Sequence, residues 1–79
     1  MMKLKVLNME RFLDVVNSCE GAVYQIGPDG SRTDFCRNRR LQDGLRAEYR
    51  RNKGVLPITL VIPNGRDYMR IVAYYAGDC

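Results

Sequence analysis

The stretch that decides the fold is DYMRIVAYYAG, residues 67–77, because it is compatible with either a helix or a strand. A helix would have Asp67 as its N-terminal cap and Gly77 as its terminator, with apolar residues on one side. That side comprises Tyr68, Ile71, Val72, Tyr75 and Ala76, and the side facing water comprises Arg70, Ala73 and Tyr74. We favour the helix because the cap, the terminator and the apolar stripe agree.

As a strand, the same stretch would form a hairpin with the segment Leu56 to Ile62. That segment alternates between two faces, with Ile58, Leu60 and Ile62 on one and Thr59 and Val61 on the other. Because both faces carry apolar residues, we expect this strand to occupy a central position in a sheet.

The N-terminal part of the chain predicts a strand followed by a helix. Residues 3–7 alternate between charged and apolar side chains, which is typical of a short strand with Leu4 and Val6 facing inward. Asn8 is a suitable N-cap, and Gly21 stands where a left-handed residue would end the helix. The apolar stripe of this helix comprises Met9, Phe12, Leu13, Val16 and Cys19.

The next segment predicts a hairpin. The stretches Ala22 to Ile26 and Ser31 to Phe35 flank the turn Gly27-Pro28-Asp29-Gly30. Proline presets its own backbone angle in such a turn, and glycine accepts a positive φ at the exit.

A second helix is predicted from Arg39 to Asn52, capped by Asn38 or Asp34 and ended by Gly54. Its apolar stripe is narrow and comprises Leu41, Leu45 and Tyr49. Gly44 in the middle of this helix costs ~1 kcal/mol relative to alanine, which indicates either close packing of the backbone or a weak helix.

These elements predict one small α+β domain over residues 1–79, a two-layer sandwich of order β-α-β-β-α-β-α. The alternative order is β-α-β-β-α-β-β, and either one places two or three helices on a four- or five-stranded sheet. The first order is similar to that of the HPr-type phosphocarriers, which carry a phosphorylatable histidine just before the first helix. Asn8 and Met9 occupy that stretch here, so the resemblance implies no phosphotransfer.

Composition excludes several classes of protein. Of 79 residues, 46% are hydrophobic and 28% are charged, which are globular values and argue against disorder. No apolar run approaches the ~18–20 residues that cross a bilayer, so we expect no membrane association through a span. The charged opening Met1-Met2-Lys3-Leu4-Lys5 is unlike a signal peptide, and we expect a cytoplasmic location.

The side-chain inventory argues against an enzyme, a metal site or a bound cofactor. The chain has no histidine, no Gly-rich phosphate loop and three irregularly spaced cysteines, Cys19, Cys36 and Cys79. Cys36 is the candidate reactive thiol, because nearby cations and helix amides would favour its thiolate. The alternative for Cys36 is a small thiol packed at the end of a strand.

Positive charge is concentrated between Arg32 and Lys53, where eight basic and three acidic residues give a net +5 within a chain of net +4. On the second helix, Arg39, Arg46 and Arg50 form one stripe, and Arg40 and Arg51 form a second cluster beside it. The spacings Arg39–Asp43, Asp43–Arg46 and Glu48–Arg51 suit ion pairs within the helix.

Two functions follow from this charge. We expect a non-enzymatic protein–protein interaction or adaptor module, which binds an acidic protein partner or a second copy of the chain. Arg70 and Tyr74 are candidates for the rim of such an interface. The alternative is a nucleic-acid-binding protein whose arginines contact phosphates and whose tyrosines stack on bases. We favour the protein partner because Asp43 and Glu48 interrupt the arginines.

Overall fold

The computed structural model describes the backbone of residues 1–78 and the side chains of residues 1–75. The elements are β1 (Met2–Val6), α1 (Met9–Asn17), β2 (Tyr24–Ile26), β3 (Arg32–Asp34), α2 (Arg39–Arg51), β4 (Leu56–Val61) and α3 (Gly65–Asp78). The C-terminal stretch is therefore a helix, which confirms the β-α-β-β-α-β-α order and excludes the strand alternative. The α+β class is confirmed, with three helices and four strands.

The four strands form an antiparallel sheet in the order β1-β4-β2-β3. Strand β4 is central, as predicted, since Leu4 pairs with Ile58 on one side and Gln25 pairs with Leu60 on the other. The inward-facing side chains of the sheet and the buried faces of the helices belong to one hydrophobic cluster. The three helices thus cover one face of the sheet.

Phe12 on α1 lies in the middle of this cluster and is fully buried. Its ring centroid is 6.1 Å from that of Phe35 and 6.0 Å from that of Tyr74. The predicted stripe of α1 is confirmed, because its apolar residues and the following Cys19 are all buried. The Asn8 side chain accepts a hydrogen bond from the Arg11 amide, which confirms the N-cap.

The predicted end of the first helix is wrong. Helix α1 ends at Asn17, followed by Ser18 in a right-handed conformation, and Gly21 does not have a positive φ. The Ser18 hydroxyl donates to the Val15 carbonyl oxygen at 2.6 Å, which closes the last turn without a left-handed residue. The role of Gly21 is instead to donate its amide to Asp67.

The predicted cap of α3 is also wrong. The Asn64 side-chain oxygen accepts hydrogen bonds from the amides of Arg66 and Asp67, so Asn64 caps the helix. Asp67 is fully buried, and its two carboxylate oxygens accept from the amides of Glu20 at 3.0 Å and Gly21 at 2.8 Å. The helix also continues past Gly77 to Asp78.

The rotation of α3 differs from the predicted one. Asp67, Ile71 and Tyr74 face the core, whereas Tyr68 and Tyr75 are each 39% exposed. The prediction that Tyr74 faces water is wrong, because Tyr74 is only 7% exposed and its hydroxyl donates to the Asn8 carbonyl oxygen at 3.2 Å. The expected place of Ala76 in the stripe lies outside the described side chains.

Helix α2 begins at the cap Asn38, whose side-chain oxygen accepts from the Leu41 amide at 3.1 Å. It ends where Lys53 and Gly54 adopt positive φ values of 58° and 83°, which confirms Gly54 as its end. Gly44 is exposed, and a Cβ placed on it would have no atom within 4 Å. Close packing therefore does not explain this glycine.

Replacing Gly44 by alanine should stabilise the protein. The added methyl group meets no obstacle and the unfolded chain loses conformational freedom, so the free energy of unfolding should rise by about 1 kcal/mol. Urea denaturation of the wild type and Gly44→Ala measures this difference. A decrease in stability would contradict the open environment of Gly44.

Asp67 should make the stability of the protein pH-dependent. Hydrogen bonds from the Glu20 and Gly21 amides hold the pKa of Asp67 below its ordinary value of 3.8. The ordinary pKa applies to Asp67 in the unfolded chain. The contribution of the Asp67 carboxylate to the free energy of unfolding is therefore fully present above that value, and it is lost as the pH falls through the lower pKa of the folded state.

Asp67→Asn should lower the free energy of unfolding at neutral pH, because an amide oxygen can replace only one of the two acceptors. The difference in stability between wild type and variant should shrink on acidification. Urea denaturation at neutral pH and near pH 3 measures both effects. A difference that stays constant with pH would contradict a stabilising carboxylate.

Candidate functional site

Helix α2 carries the candidate surface, and its apolar stripe fixes its rotation. Leu45 is buried in the core, and Leu41 and Tyr49 are half-buried against it, as predicted. The Tyr49 hydroxyl donates to the Leu7 carbonyl oxygen at 2.6 Å. Arg39 and Arg50 therefore lie on the flank of α2 that borders α1.

A buried glutamine that the sequence analysis did not single out ties α2 to α1. Gln42 is 3% exposed, and its Nε2 donates to Asn17 Oδ1 at 2.7 Å and to the Phe35 carbonyl oxygen at 2.9 Å. Asn17 Nδ2 donates back to Gln42 Oε1 at 3.3 Å. The available signal was position, since Gln42 precedes Leu45 and Tyr49 by one and two helical turns.

Arg46, in the middle of the predicted arginine stripe, is held by two carboxylates. Its Nε and Nη2 donate to the two oxygens of Glu10 on α1 at 2.8 and 3.2 Å. Its Nη1 donates to Asp43 at 2.8 Å, which confirms one of the three predicted ion pairs. These contacts raise the pKa of Arg46, and the hydrogen bond from Arg46 lowers the pKa of Glu10.

The other two predicted ion pairs are wrong. Among residues 1–75, no ion pair joins Arg39 to Asp43 or Glu48 to Arg51. Asp43 instead pairs with Arg46. The second carboxylate that holds Arg46 belongs to Glu10, which precedes Arg46 by 36 residues. Spacing along α2 could not reveal a partner on another helix.

Two clefts flank the contact between Arg46 and Glu10. One has a volume of about 530 Å³, and its lining includes Arg39, Asn17 and Gln42. The other has a volume of about 430 Å³ and lies between Asn8 and Arg50. Arg39 in the first cleft and Arg50 in the second take part in no ion pair within the described side chains. Arg37, which also lines the first cleft, donates to backbone carbonyl oxygens.

The remaining arginines of the second predicted cluster, Arg40 and Arg51, are also exposed. They lie about 100–120° around α2 from Arg39, so they face away from the clefts. The five candidate arginines therefore divide into a central one held by carboxylates, two in clefts and two on the outer side.

Arg70 and Tyr74, the candidates for an interface rim, make intramolecular contacts. An Arg70 guanidinium nitrogen donates to the Ser18 carbonyl oxygen at 2.5 Å, although the residue is exposed. Tyr74 is buried and offers no surface. Arg37, with a φ of 55°, similarly donates to the carbonyl oxygens of Cys19 and Glu20.

The surroundings of Cys36 favour its thiol form. Its Sγ donates to the Val16 carbonyl oxygen at 3.3 Å, and burial raises its pKa despite the neighbouring Arg37. Desolvation thus outweighs the attraction of the Arg37 cation, which favours the packed thiol over the reactive one. Burial also raises the pKa of Cys19 to about 11, and both thiols are free.

Within the described residues, no three cysteine, aspartate or glutamate side chains converge as a metal site would require. No helix in that part of the chain combines the length and hydropathy of a membrane span.

No protein-family model, curated protein or solved structure matches the chain. The similarity to the HPr-type phosphocarriers therefore rests on the order of elements, and the site is interpreted from its own geometry.

Alkylation of the native protein at neutral pH should be slow at Cys36 and slower at Cys19. Relative to the ordinary value of 9.0, the raised pKa of Cys19 lowers its thiolate fraction by about 100-fold. Iodoacetamide labelling followed by peptide mass mapping measures each rate, with the urea-unfolded protein as reference. Labelling of native Cys36 at the unfolded rate or faster would contradict its raised pKa.

Proposed function

We propose that the protein is a non-enzymatic binding module that recognises an acidic protein partner through the paired faces of α1 and α2. The observation that supports this proposal most is the interrupted row of charge along α2. Arg39 and Arg50 stand in separate clefts, and the carboxylates of Glu10 and Asp43 lie between them around Arg46.

The geometry favours a partner with two separated acidic groups. Arg39 and Arg50 are eleven residues apart, which is about 16 Å along a helix axis. A partner helix with acids three turns apart, or an extended segment with acids about five residues apart, has the same spacing. Between those acids the partner needs a polar or basic group, because Glu10 and Asp43 are exposed there.

A nucleic acid fits this surface less well. Phosphates follow one another without interruption along a strand, so a strand that reached both arginines would place phosphates beside Glu10 and Asp43. That contact is repulsive, whereas a protein can vary its charge along the same path. Direct phosphate contact with the whole stripe also needs Arg46, whose guanidinium is engaged by both carboxylates.

The proposal includes no catalytic step. A cytoplasmic location is part of the proposal. The free state of Cys19 and Cys36 is consistent with a reducing compartment.

The test is affinity capture from a nuclease-treated cell extract with three forms of the protein. Wild type and Arg40→Ala/Arg51→Ala should retain the same acidic protein at a defined stoichiometry. Arg39→Ala/Arg50→Ala should lose it, with at least about a tenfold fall in affinity, because two charged contacts disappear. The two double variants carry the same net charge and lie on the same helix.

Equal loss in both double variants would mean that net charge alone causes retention, which contradicts a specific surface in the clefts. Material that is retained from an untreated extract but absent after nuclease treatment would contradict a protein partner. Unfolding curves of the three forms should coincide, since all four arginines are free of ion pairs among the described residues.

A further inference from the structure

The sheet has a second face, which the three helices do not cover. Strand alternation turns Leu4 and Leu60 toward the core, so their neighbours in β1 and β4 point the other way. We use the name outer sheet face for the outward-pointing residues of the four strands, which are Lys3, Lys5, Tyr24, Ile26, Arg32, Asp34, Pro57, Thr59 and Val61. None of them belongs to the buried core cluster.

The centre of the outer sheet face is apolar and aromatic. Tyr24 of β2 is paired directly with Val61 of β4, and Ile26 follows two residues along the same strand. All three are partly exposed. The solvated face of an antiparallel sheet ordinarily carries polar residues, so apolar side chains in its centre indicate a contact surface.

Basic residues stand on both sides of this centre. Lys3 lies on β1 at one edge of the sheet, and Arg32 lies on β3 at the other. Neither takes part in an ion pair among residues 1–75. Asp34 is the one acidic residue in the four described strands, and it lies on the same face directly opposite Tyr24. Its Oδ1 accepts hydrogen bonds from the amides of Val23 and Cys36.

We propose that the outer sheet face binds single-stranded nucleic acid, with a base stacked on Tyr24 and phosphates against Lys3 and Arg32. Adjacent strands are about 4.8 Å apart, so Arg32 lies one strand from Tyr24 and Lys3 lies two. One aromatic ring with cations on both sides provides the stacking and the electrostatic contact that sequence-tolerant binding of single strands uses.

The size of the apolar centre favours a single strand over a protein. Three side chains cannot supply the ~800 Å² per partner that a standard protein interface buries, whereas one base needs a single ring. A duplex is also a poor ligand, because its bases are stacked on one another and a flat sheet face does not enter a groove. This surface lies opposite the helices, so the inference is independent of the function proposed for α1 and α2.

The test is fluorescence anisotropy of the full chain with labelled oligo(U), oligo(dT) and a DNA hairpin, each at several salt concentrations. Both single strands should bind more tightly than the hairpin. Two phosphate contacts predict a slope of about −1.4 in log K against log salt. Tyr24→Ala should weaken binding about tenfold, and Tyr24→Phe should stay within about twofold of wild type because the ring remains.

Lys3→Glu/Arg32→Glu should weaken binding by at least about tenfold and flatten the salt dependence. Arg39→Glu/Arg50→Glu changes the net charge equally on the other side of the molecule, and should alter oligonucleotide binding by less than about threefold. That same variant should lose the acidic protein partner, so the two proposals can fail separately. Circular dichroism and unfolding curves establish that each variant is folded.

Three results of the binding measurements would overturn the proposal, and a fourth comes from protein capture. They are the absence of oligonucleotide binding by the wild type at low salt, unchanged binding by Tyr24→Ala, and equal weakening by the two charge-reversed variants. In the last case any binding would arise from net charge. Capture of a protein that is lost with Lys3→Glu/Arg32→Glu, without oligonucleotide binding, would also overturn it and assign this face to a protein.

Discussion

The architecture depends on one buried carboxylate. Asp67 lies at the start of α3 and accepts hydrogen bonds from two consecutive amides in the segment after α1. A buried carboxylate is costly without such partners, so α3 is restricted to rotations that keep Asp67 against that segment. This rotation brings Ile71 and Tyr74 into the core beside Phe12 and leaves Tyr68 and Tyr75 partly exposed.

The end of α1 explains why two arginines are not available to a partner. Arg70 donates to the carbonyl oxygen of Ser18, and Arg37 donates to those of Cys19 and Glu20. Cations are favourable near the C-terminal end of a helix, where carbonyl groups lack partners within the helix. The count of basic residues in the sequence therefore exceeds the charge that is free to act on another molecule, and position decides which arginines contribute.

Local sequence patterns were enough to predict the helices and strands. They could not predict the rotation of α3 or the partners of Arg46, because contacts between distant residues determine both. The alternation in β4 and the apolar stripe of α1 each show which side of a single element is buried, so the sequence alone predicted the orientation of both elements. The rotation of α3 was mispredicted because its apolar residues outnumber the buried ones, and the deciding contacts of Asp67 lie 47 and 46 residues away. Arg46 was counted among the arginines free to contact a partner for the same reason, since Glu10 belongs to another helix. The stripe spacing did identify Arg39 and Arg50, which the clefts now set apart from Arg40 and Arg51.

The junction between β1 and α1 is anchored by two tyrosines that lie far along the chain. The carbonyl oxygens of Leu7 and Asn8 accept from the hydroxyls of Tyr49 and Tyr74, which are 42 and 66 residues later. Strand β1 also has its ladder partner in β4. During synthesis, the N-terminal segment therefore completes its native contacts only after Tyr49 and Tyr74 have left the ribosome. Long sequence separation of this kind slows folding, so the protein should form late and cooperatively rather than from its N-terminus onward.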